Sequence, residues 1–416
     1  MTAIEQGAQA APAASDWRQI IQQSRPDEWG VLLSASAAAY GIGMLPLLVL
    51  PFVIGALISS LGLNEAQAGI LSSVELGAIA LGSMLVAPFM GRLPRRTLAI
   101  IGALLAMLAS VFSMSLDSYE TLLWVRASSG LGCGLALAAG NATVSSARSP
   151  EKLAAHMSVY FVLLMIVMMS LFARVTAEYG HQGAYAALTG SFVFSALWLF
   201  LLPQGASVCG GMSGAVKFRK NTLWSLTGLC MLGAMFMFQM RDTMSWAFVE
   251  RIGTNLGYSA ENIGNLLSIQ AVLGLIGPLM ASVMGARLGL KIPVLLAVMF
   301  SGAVTVFILL STKSVVLYGV SVSLISITYF YALAYLTALA AELDQQGRIV
   351  AASGGLLIAG SAVAPFISGL ILQQGGYPLM GTVAVVVVVL TLVFCAVPLG
   401  SIKLKAAGVS QTETGV

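Results

Sequence analysis

Residues 69–96, GILSSVELGAIALGSMLVAPFMGRLPRR, align without a gap with residues 264–291, GNLLSIQAVLGLIGPLMASVMGARLGLK, at a separation of 195 residues. The matched positions include small, polar and basic residues: Gly69 with Gly264, Ser73 with Ser268, Glu75 with Gln270, Gly82 with Gly277, Arg92 with Arg287 and Arg96 with Lys291. Two apolar helices share some residues by chance. Glycines, a polar position and basic ends in one common register indicate instead that the chain contains an internal repeat.

The composition identifies lipid as the solvent for most of the chain. Of 416 residues, 58% are hydrophobic and 9% are charged, and the mean hydropathy is +0.93. Soluble domains carry about 25% charged residues, so a soluble protein of this composition could not cover its apolar surface. A membrane-spanning helix needs about 20 apolar residues. Twelve such stretches fit the chain, at 31–59, 68–90, 97–116, 120–145, 156–178, 184–203, 223–248, 262–285, 292–311, 314–341, 348–373 and 378–399.

The positions of Lys and Arg predict how these spans are oriented, because cytoplasmic loops are enriched in both residues. One set of connections is basic, with Arg92, Arg95, Arg96, Arg148, Lys152, Lys217, Arg219, Lys220, Arg287, Lys291 and Arg348. The opposite set holds little beyond Arg174, Arg251 and Lys313. We therefore expect a multi-pass protein of a bacterial inner membrane, with both termini in the cytoplasm.

The longest internal connection, 204–222, is rich in Gly and Ser and then basic, and it separates six spans from six. We predict an all-α membrane protein with twelve transmembrane helices in two pseudo-symmetric six-helix bundles. The predicted units are a cytoplasmic tail at 1–30, a first bundle at 31–203, a cytoplasmic linker at 204–222, a second bundle at 223–400 and a cytoplasmic tail at 401–416.

Several function classes lack the residues that they need. The basic residues lie in short loops rather than on one face, so we expect no nucleic-acid partner. The four cysteines and two histidines are scattered without ligand spacing, which predicts no metal site and no cofactor. An enzyme would show acids, His or Cys clustered at one membrane face, and a sensor would carry a soluble output domain. We expect a monomer whose partners are the lipid bilayer, a small organic solute and a coupling ion.

Glu75 and Arg126 are charged residues within predicted spans, where a charge is costly and usually faces a partner or a water-filled cavity. Both lie about 10–12 Å below the outer boundary at a rise of roughly 1.5 Å per residue. They are placed to form an ion pair inside the first bundle. Such a pair serves either as a proton or substrate site or as a static bridge between helices.

Further candidates for the substrate or proton pathway lie in the second bundle and the first span. Arg241 and Asp242 occupy the outer third of the seventh span, unless that helix ends early and leaves both in water, and we expect Glu250 and Arg251 in the outer loop. Tyr331 and Tyr335 are four residues apart and share a helix face, which suits either an aromatic-lined binding surface or interhelical packing. The remaining polar candidates are Gln270, Gln239 and Tyr40.

The loop Gly91-Arg92-Leu93-Pro94-Arg95-Arg96, its echo Gly285-Ala286-Arg287-Leu288-Gly289-Leu290-Lys291 and the run Arg126-Ala-Ser-Ser-Gly130-Leu-Gly132-Cys-Gly134 resemble motifs of the major facilitator superfamily. The resemblance covers nearly the whole chain. It implies two bundles that rock around a site near the midplane, with gating loops that contain Gly91, Arg92, Arg95, Arg96, Arg287 and Lys291. It also associates Arg126 with proton coupling or substrate binding.

The chain departs from two subfamily patterns. The fifth span has no Gly-Pro, the motif typical of drug/proton antiporters, and the first span has no acid where many sugar symporters carry an aspartate. The leading hypothesis is a secondary active transporter for a small organic anion, coupled to protons through Glu75 or Asp242. The alternative is an efflux pump for lipophilic drugs or metabolites, which the 20 methionines would suit. A polytopic sensor or enzyme is the alternative of another class.

Overall fold

Helices that form twelve spans make up most of the residues that the structure describes. The computed structural model describes residues 29–90, 92–144, 147, 150–204, 224–285, 289–344 and 348–413. Within these residues, eight helices are long and apolar enough to cross a membrane. Two of the eight are each divided by a glycine turn, and the first and seventh spans complete the twelve.

The first span is interrupted, whereas the next five are long helices. Trp29–Ser36 leads into a π-helical segment, Ala37–Gly43, and then into Leu45–Leu48 and Leu50–Leu61. The second, third and fourth spans are Glu65–Val86, Arg95–Ser113 and Tyr119–Val144. The fifth and sixth form Pro150–Leu199, which is divided at Gly180.

The second half follows the same plan. The seventh span is Leu226–Asn255, and the eighth consists of Ala260–Leu273 and Ile276–Met284. The ninth and tenth are Lys291–Leu310 and Val315–Leu343. The eleventh and twelfth form Arg348–Glu413, which is divided at Gly376. The predicted class of two six-helix bundles is therefore confirmed.

The repeat is visible in the backbone as well as in the sequence. Gly82 packs against the backbone at Leu131, and Gly277 packs in the same way against Ile327. Gly180 and Gly376 both adopt a positive φ, of 55° and 63°, at the turn inside the last helix pair of each half. L-residues with a side chain rarely adopt such a φ, so glycine is required at both turns.

The two bundles meet along three pairs of helices: the first with the seventh, the second with the eleventh, and the fifth with the eighth. We call one end of the molecule the low-charge end; it carries the connections 62–64, 114–118, 256–259 and 311–314 and the turns at Gly180 and Gly376. The opposite end is called the basic end. Near the low-charge end, Gly69 lies against the backbone of Pro365. A Cβ added at Gly264 would lie 2.6 Å from the Cβ of Ala173.

Several predicted features need correction or lie outside the described residues. The seventh helix continues to Asn255, so the placement of Glu250 and Arg251 in a loop was wrong, and Arg241 is buried in the helix rather than in water. The helix that begins at Arg348 extends to Glu413 and so continues into the residues of the predicted C-terminal tail. Residues 1–28 of the N-terminal tail, linker residues 205–222, Gly91 and Arg287 lie outside the described residues.

Candidate functional site

Arg126 is the centre of a closed polar network inside the first bundle. Its side chain is fully buried, and its Nη2 donates to Oε1 of Glu75 while its Nε donates to Oε2 at 3.1 Å. Nη1 donates to Ser110 at 3.2 Å, and the guanidinium lies 4.8 Å from the ring centroid of Tyr185. Ser129 donates to Oε1 of Glu75 at 3.2 Å. The Arg126 charge is thus paired and fully bonded.

The residues of this network come from four different spans. Glu75 comes from the second span, Ser110 from the third, Arg126 and Ser129 from the fourth and Tyr185 from the sixth. A bidentate arginine–carboxylate pair is among the strong and directional hydrogen-bonded contacts in proteins. Four helices of the first bundle are therefore joined at one level by a single charge pair.

Arg241 occupies a different environment in the second bundle. It is 2% exposed, and its Nη2 donates to Ser301 of the ninth span at 2.9 Å, while its guanidinium lies 5.0 Å from the ring centroid of Phe238. No carboxylate of a described residue lies within ion-pair distance, and Nη1 is buried without a hydrogen-bond partner. A buried guanidinium N–H without an acceptor is costly, so this position suits an additional acceptor.

Asp242 points in another direction from its neighbour. Trp246, four residues later and therefore on the same face, donates from Nε1 to the carbonyl of Leu47 in the first bundle at 3.0 Å. Asp242 thus lies on the face of the seventh span that is turned toward the other bundle. Its Oδ1 is buried without a partner among the described residues.

A tyrosine connects these charged residues to a wider polar cluster. The hydroxyl of Tyr329 donates to Gln239 at 2.7 Å, and its ring stacks on Phe238 at 5.3 Å. Gln239 donates to Thr243 at 3.3 Å, and Thr243 bonds to Ser361 of the eleventh span at 3.4 Å. The seventh, tenth and eleventh spans are therefore linked next to Arg241.

The position equivalent to Glu75 is neutral in the second bundle. Gln270 is fully buried and accepts a hydrogen bond from Ser326 of the tenth span. Its Nε2 has no partner among the described residues. The two halves therefore share a backbone arrangement but differ in where their buried charges lie. Arg126 is on the fourth helix of the first bundle, whereas Arg241 is on the first helix of the second bundle.

The aromatic candidates lie apart from this polar cluster. Tyr331 and Tyr335 share a face as predicted, with ring centroids 5.0 Å apart. Tyr331 donates to the sulfur of Met284 at 3.4 Å, and Tyr335 donates to the carbonyl of Gly285 at 3.0 Å, at the basic end of the eighth span. The observed contacts are thus interhelical. Tyr40 packs its ring 5.0 Å from that of Phe161.

The basic loop residues divide into exposed and anchored side chains. Arg92 and Lys291 are exposed, whereas Arg95 is buried. Arg96 donates from Nε to the carbonyl of Leu202 at 2.7 Å, which ties the start of the third span to the end of the sixth. This contact fixes one basic loop to the first bundle.

Sequence reasoning missed some of the residues around these charges. Ser129 could have been found, because it lies three residues after Arg126 on one helix face. Ser110, Tyr185 and Ser301 carry no local signal, since they approach from other helices. No three His, Cys, Asp or Glu side chains lie together as metal ligands in the described part of the chain.

Two six-helix halves that meet along paired helices, with charged and polar groups buried inside them, are the layout of a known class of membrane transporters. The profile of the Major Facilitator Superfamily matches residues 31–240. The chain belongs to this superfamily, and the protein is a secondary transporter rather than an enzyme. No curated protein sequence matches the chain.

Solved structures show the same fold at low sequence identity. The chain is similar to a bacterial homologue of the human lysosomal transporter Spinster, in an inward-facing and unoccupied conformation, with a TM-score of 0.66 and 16% identity over 90% of this chain and 97% of that chain. It is also similar to the nucleoside transporter NupG, with a TM-score of 0.66 and 13% identity over 89% and 99%. The D-xylose-proton symporter gives 0.65 and 14% identity over 87% and 96%.

Proposed function

We propose that this transporter moves a small organic anion together with protons across a bacterial inner membrane, and that Asp242 and Arg241 form its coupling site. The observation that carries the proposal is a fully buried arginine without a carboxylate partner, directly followed by a carboxylate with an unpartnered oxygen. One structure of the same fold is named as a D-xylose-proton symporter, which supports proton coupling as a proposal for this chain.

The proposed coupling follows from charge balance. Asp242 offsets the Arg241 charge while it is ionised. When Asp242 binds a proton, the positive charge of Arg241 is no longer balanced, and its free Nη1 donates to an anion. The anion and the proton therefore favour each other's binding, which is the requirement for symport.

Glu75 and Arg126 are assigned a different role. Because their charges already cancel and their hydrogen bonds are filled within the bundle, we propose that this pair anchors helices of the first bundle. A solute would have to break the pair to bind there. Gln239, Tyr329 and Gln270 are proposed to line the second-bundle side of the pathway.

The orientation and the domain boundaries are part of the same proposal. The low-charge end faces the periplasm and the basic end the cytoplasm, with both tails and the linker 204–222 on the cytoplasmic side, as the positive-inside rule predicts. The protein is proposed to act as a monomer in the bilayer. The basic loops with Arg92, Arg95, Arg96 and Lys291 are proposed to lie at the cytoplasmic gate.

Uptake into proteoliposomes tests the coupling site. Wild-type protein should accumulate benzoate or succinate when the outside is acidic, and the neutral solutes xylose and uridine serve as the matched comparison. Asp242→Asn should abolish accumulation driven by the pH gradient but keep exchange of the anion at equal pH. Arg241→Gln should lose anion transport in both assays. Asp117→Asn, the same change at an exposed carboxylate, is the control.

Three results would contradict the proposal. Gradient-driven accumulation that survives in Asp242→Asn would remove Asp242 as the proton site. If uridine or xylose is transported and neither acid is, the substrate is a neutral solute rather than an anion. Export of lipophilic cations, with no uptake of either acid, would favour the efflux function.

A further inference from the structure

Glu250 lies in the contact between the two bundles at the low-charge end, although the sequence predicted it in a loop. It belongs to the seventh span, and its carboxyl group packs directly on Gly55 of the first span. A Cβ at position 55 would lie 2.7 Å from the carboxyl carbon, so only glycine leaves room for the group. The carboxyl group therefore forms part of the surface that closes this end.

The Glu250 carboxyl group is incompletely bonded. Oε1 accepts a hydrogen bond from Thr254 at 2.9 Å, while Oε2 is buried without a partner. No described residue forms an ion pair with it. A buried carboxylate oxygen without a donor is costly when the group is ionised, whereas a protonated carboxyl group carries no charge to solvate.

The groups around Glu250 do not supply the missing cation. Arg251 is the next residue on the same helix and interacts with the carboxyl group only through space. Tyr318 from the tenth span and Tyr377 from the start of the twelfth interact with it electrostatically, and Tyr377 also interacts with Glu65. The first span presents Gly55, which has no titratable group. Among the described residues, the titratable groups that act on this carboxyl group are thus two tyrosines and one arginine, and the arginine forms no ion pair with it.

The same contact contains a hydrogen bond between the bundles that their separation would break. Trp246 lies one helical turn before Glu250, and its Nε1 donates to the carbonyl of Leu47. In an unbroken helix, this carbonyl would accept from the N–H of residue 51, but Pro51 has no N–H. The contact between the bundles therefore gives the Leu47 carbonyl the hydrogen bond that its own helix cannot supply. One turn away, the same contact leaves Oε2 of Glu250 without a hydrogen bond.

We propose that Glu250 is a proton-binding site that controls the gate at the low-charge end. The carboxyl group takes a proton from the solution on that side as the gate closes and returns it to the same side when the gate opens and water reaches Oε2. No other bond forms or breaks. Acidity on that side therefore favours the closed gate. The proposal rests on alternating access, as in the proposed function, but not on Asp242 or on the identity of the solute.

A distance measurement between spin labels reads the gate without any solute. Cysteines introduced at the exposed positions Ser59 and Asn255, in a background without native cysteines, place one label on each bundle at this end. In lipid nanodiscs, the short distance should dominate at acidic pH and the long distance at alkaline pH. The change should extend over about two pH units, as for one titrating group.

Two variants should shift this response in opposite directions. Glu250→Gln keeps the shape and removes the charge, so the short distance should persist at every pH. Gly55→Ala places a methyl group against the carboxyl group, so the long distance should gain population at every pH. The controls are Glu120→Gln, an exposed carboxylate at the same end, and Gly77→Ala, which meets no atom within 4 Å, and both should keep the wild-type titration.

The outcomes separate this proposal from the proposed function. A wild-type distance that does not change with pH, or a Glu250→Gln variant with an unchanged titration, would overturn the gate site. A response lost only in His181→Gln would move the site to His181, which bonds to Ser60 at 2.8 Å at the same end. Asp242→Asn should keep the titration, so a failure of the proposed coupling would leave this result intact.

Discussion

At the scale of single residues, Arg126 and Arg241, which are both buried within spans, show how the same side chain can serve two purposes. Arg126 donates from Nε, Nη1 and Nη2 to partners in its own bundle, while Arg241 keeps one buried nitrogen free. Once a buried pair is formed, removing one partner leaves an uncompensated charge, which costs far more than the pair itself contributes. The stability of the first bundle should therefore depend on both partners together.

Arg126→Gln should destabilise the protein by about 3–5 kcal/mol, because it leaves Glu75 charged and buried. Glu75→Gln should do the same to Arg126. The double variant Glu75→Gln/Arg126→Gln removes both charges and should recover most of the loss. Thermal unfolding in detergent or nanodiscs measures all three proteins.

The exposed pair of Arg174 and Glu261, 3.3 Å apart, offers a matched control for this cycle. Its removal should change stability little, since solvent-exposed pairs contribute little. If the double variant is as unstable as the single variants, the two charges do not compensate each other. If it is stable but fails to transport, the pair has a role in transport beyond anchoring.

The contacts of a residue could be predicted where sequence spacing determines them, but not where they depend on how helices that are distant in sequence pack together. The pairing of Glu75 with Arg126 followed from equal depth in neighbouring spans. The approach of Tyr329 to Gln239 did not, because it depends on how the seventh and tenth helices rotate against each other. Glu250 was misplaced because an adjacent Glu-Arg pair is typical of a loop, whereas the helix continues to Asn255 and places its carboxyl group against Gly55 of the first span.

At the scale of helices, the glycine turns decide where one span ends and the next begins. Gly180 divides Pro150–Leu199 with φ 55° and ψ −139°, a conformation that is essentially restricted to glycine. An added Cβ there would also lie 2.7 Å from the Cβ of Ser60. The turn holds the fifth and sixth spans antiparallel with almost no connecting loop.

Gly180→Ala should therefore destabilise the first bundle by roughly 1–3 kcal/mol, the usual cost of such a backbone conformation for a residue with a side chain. Gly190→Ala lies in the same helix, meets no atom within 4 Å and should be neutral or slightly stabilising. Thermal unfolding of the two variants against wild type measures the difference. Equal unfolding temperatures would mean that the turn relaxes without cost.

The spans themselves were predictable to within several residues, because the length of apolar stretches is set by bilayer thickness. The irregular segments within the spans were less predictable than the spans themselves. Pro46 and Pro51 interrupt the hydrogen bonds of the first span because proline has no N–H. The π-helical segment Ala37–Gly43 instead precedes both prolines and packs against the fourth span and the fifth–sixth helix pair. No local pattern specifies that kind of irregularity.

At the scale of the molecule, the repeat places equivalent glycines at equivalent bundle contacts. Gly69 packs on the backbone at Pro365 and Gly369, and Gly264 packs on Met169 and Ala173. The nearby serines also cross the interface. Ser73 accepts from the N–H of Phe366 at 2.8 Å, and Ser268 lies 3.2 Å from Ser170. Close approach at these two sites allows the low-charge end to close.

Gly69→Ala and Gly264→Ala should each hold the bundles apart at this end, because the added methyl group collides with backbone or with the Ala173 side chain. Labels at positions 59 and 255 should then report more of the long distance, and uptake should fall while the protein still folds. Gly77→Ala, on the same helix as Gly69, is the control. Since the two sites are repeat mates, both substitutions should act in the same direction. A variant that opens the gate at one site but not at the other would show that the bundles close asymmetrically, with the second–eleventh and fifth–eighth contacts carrying unequal shares.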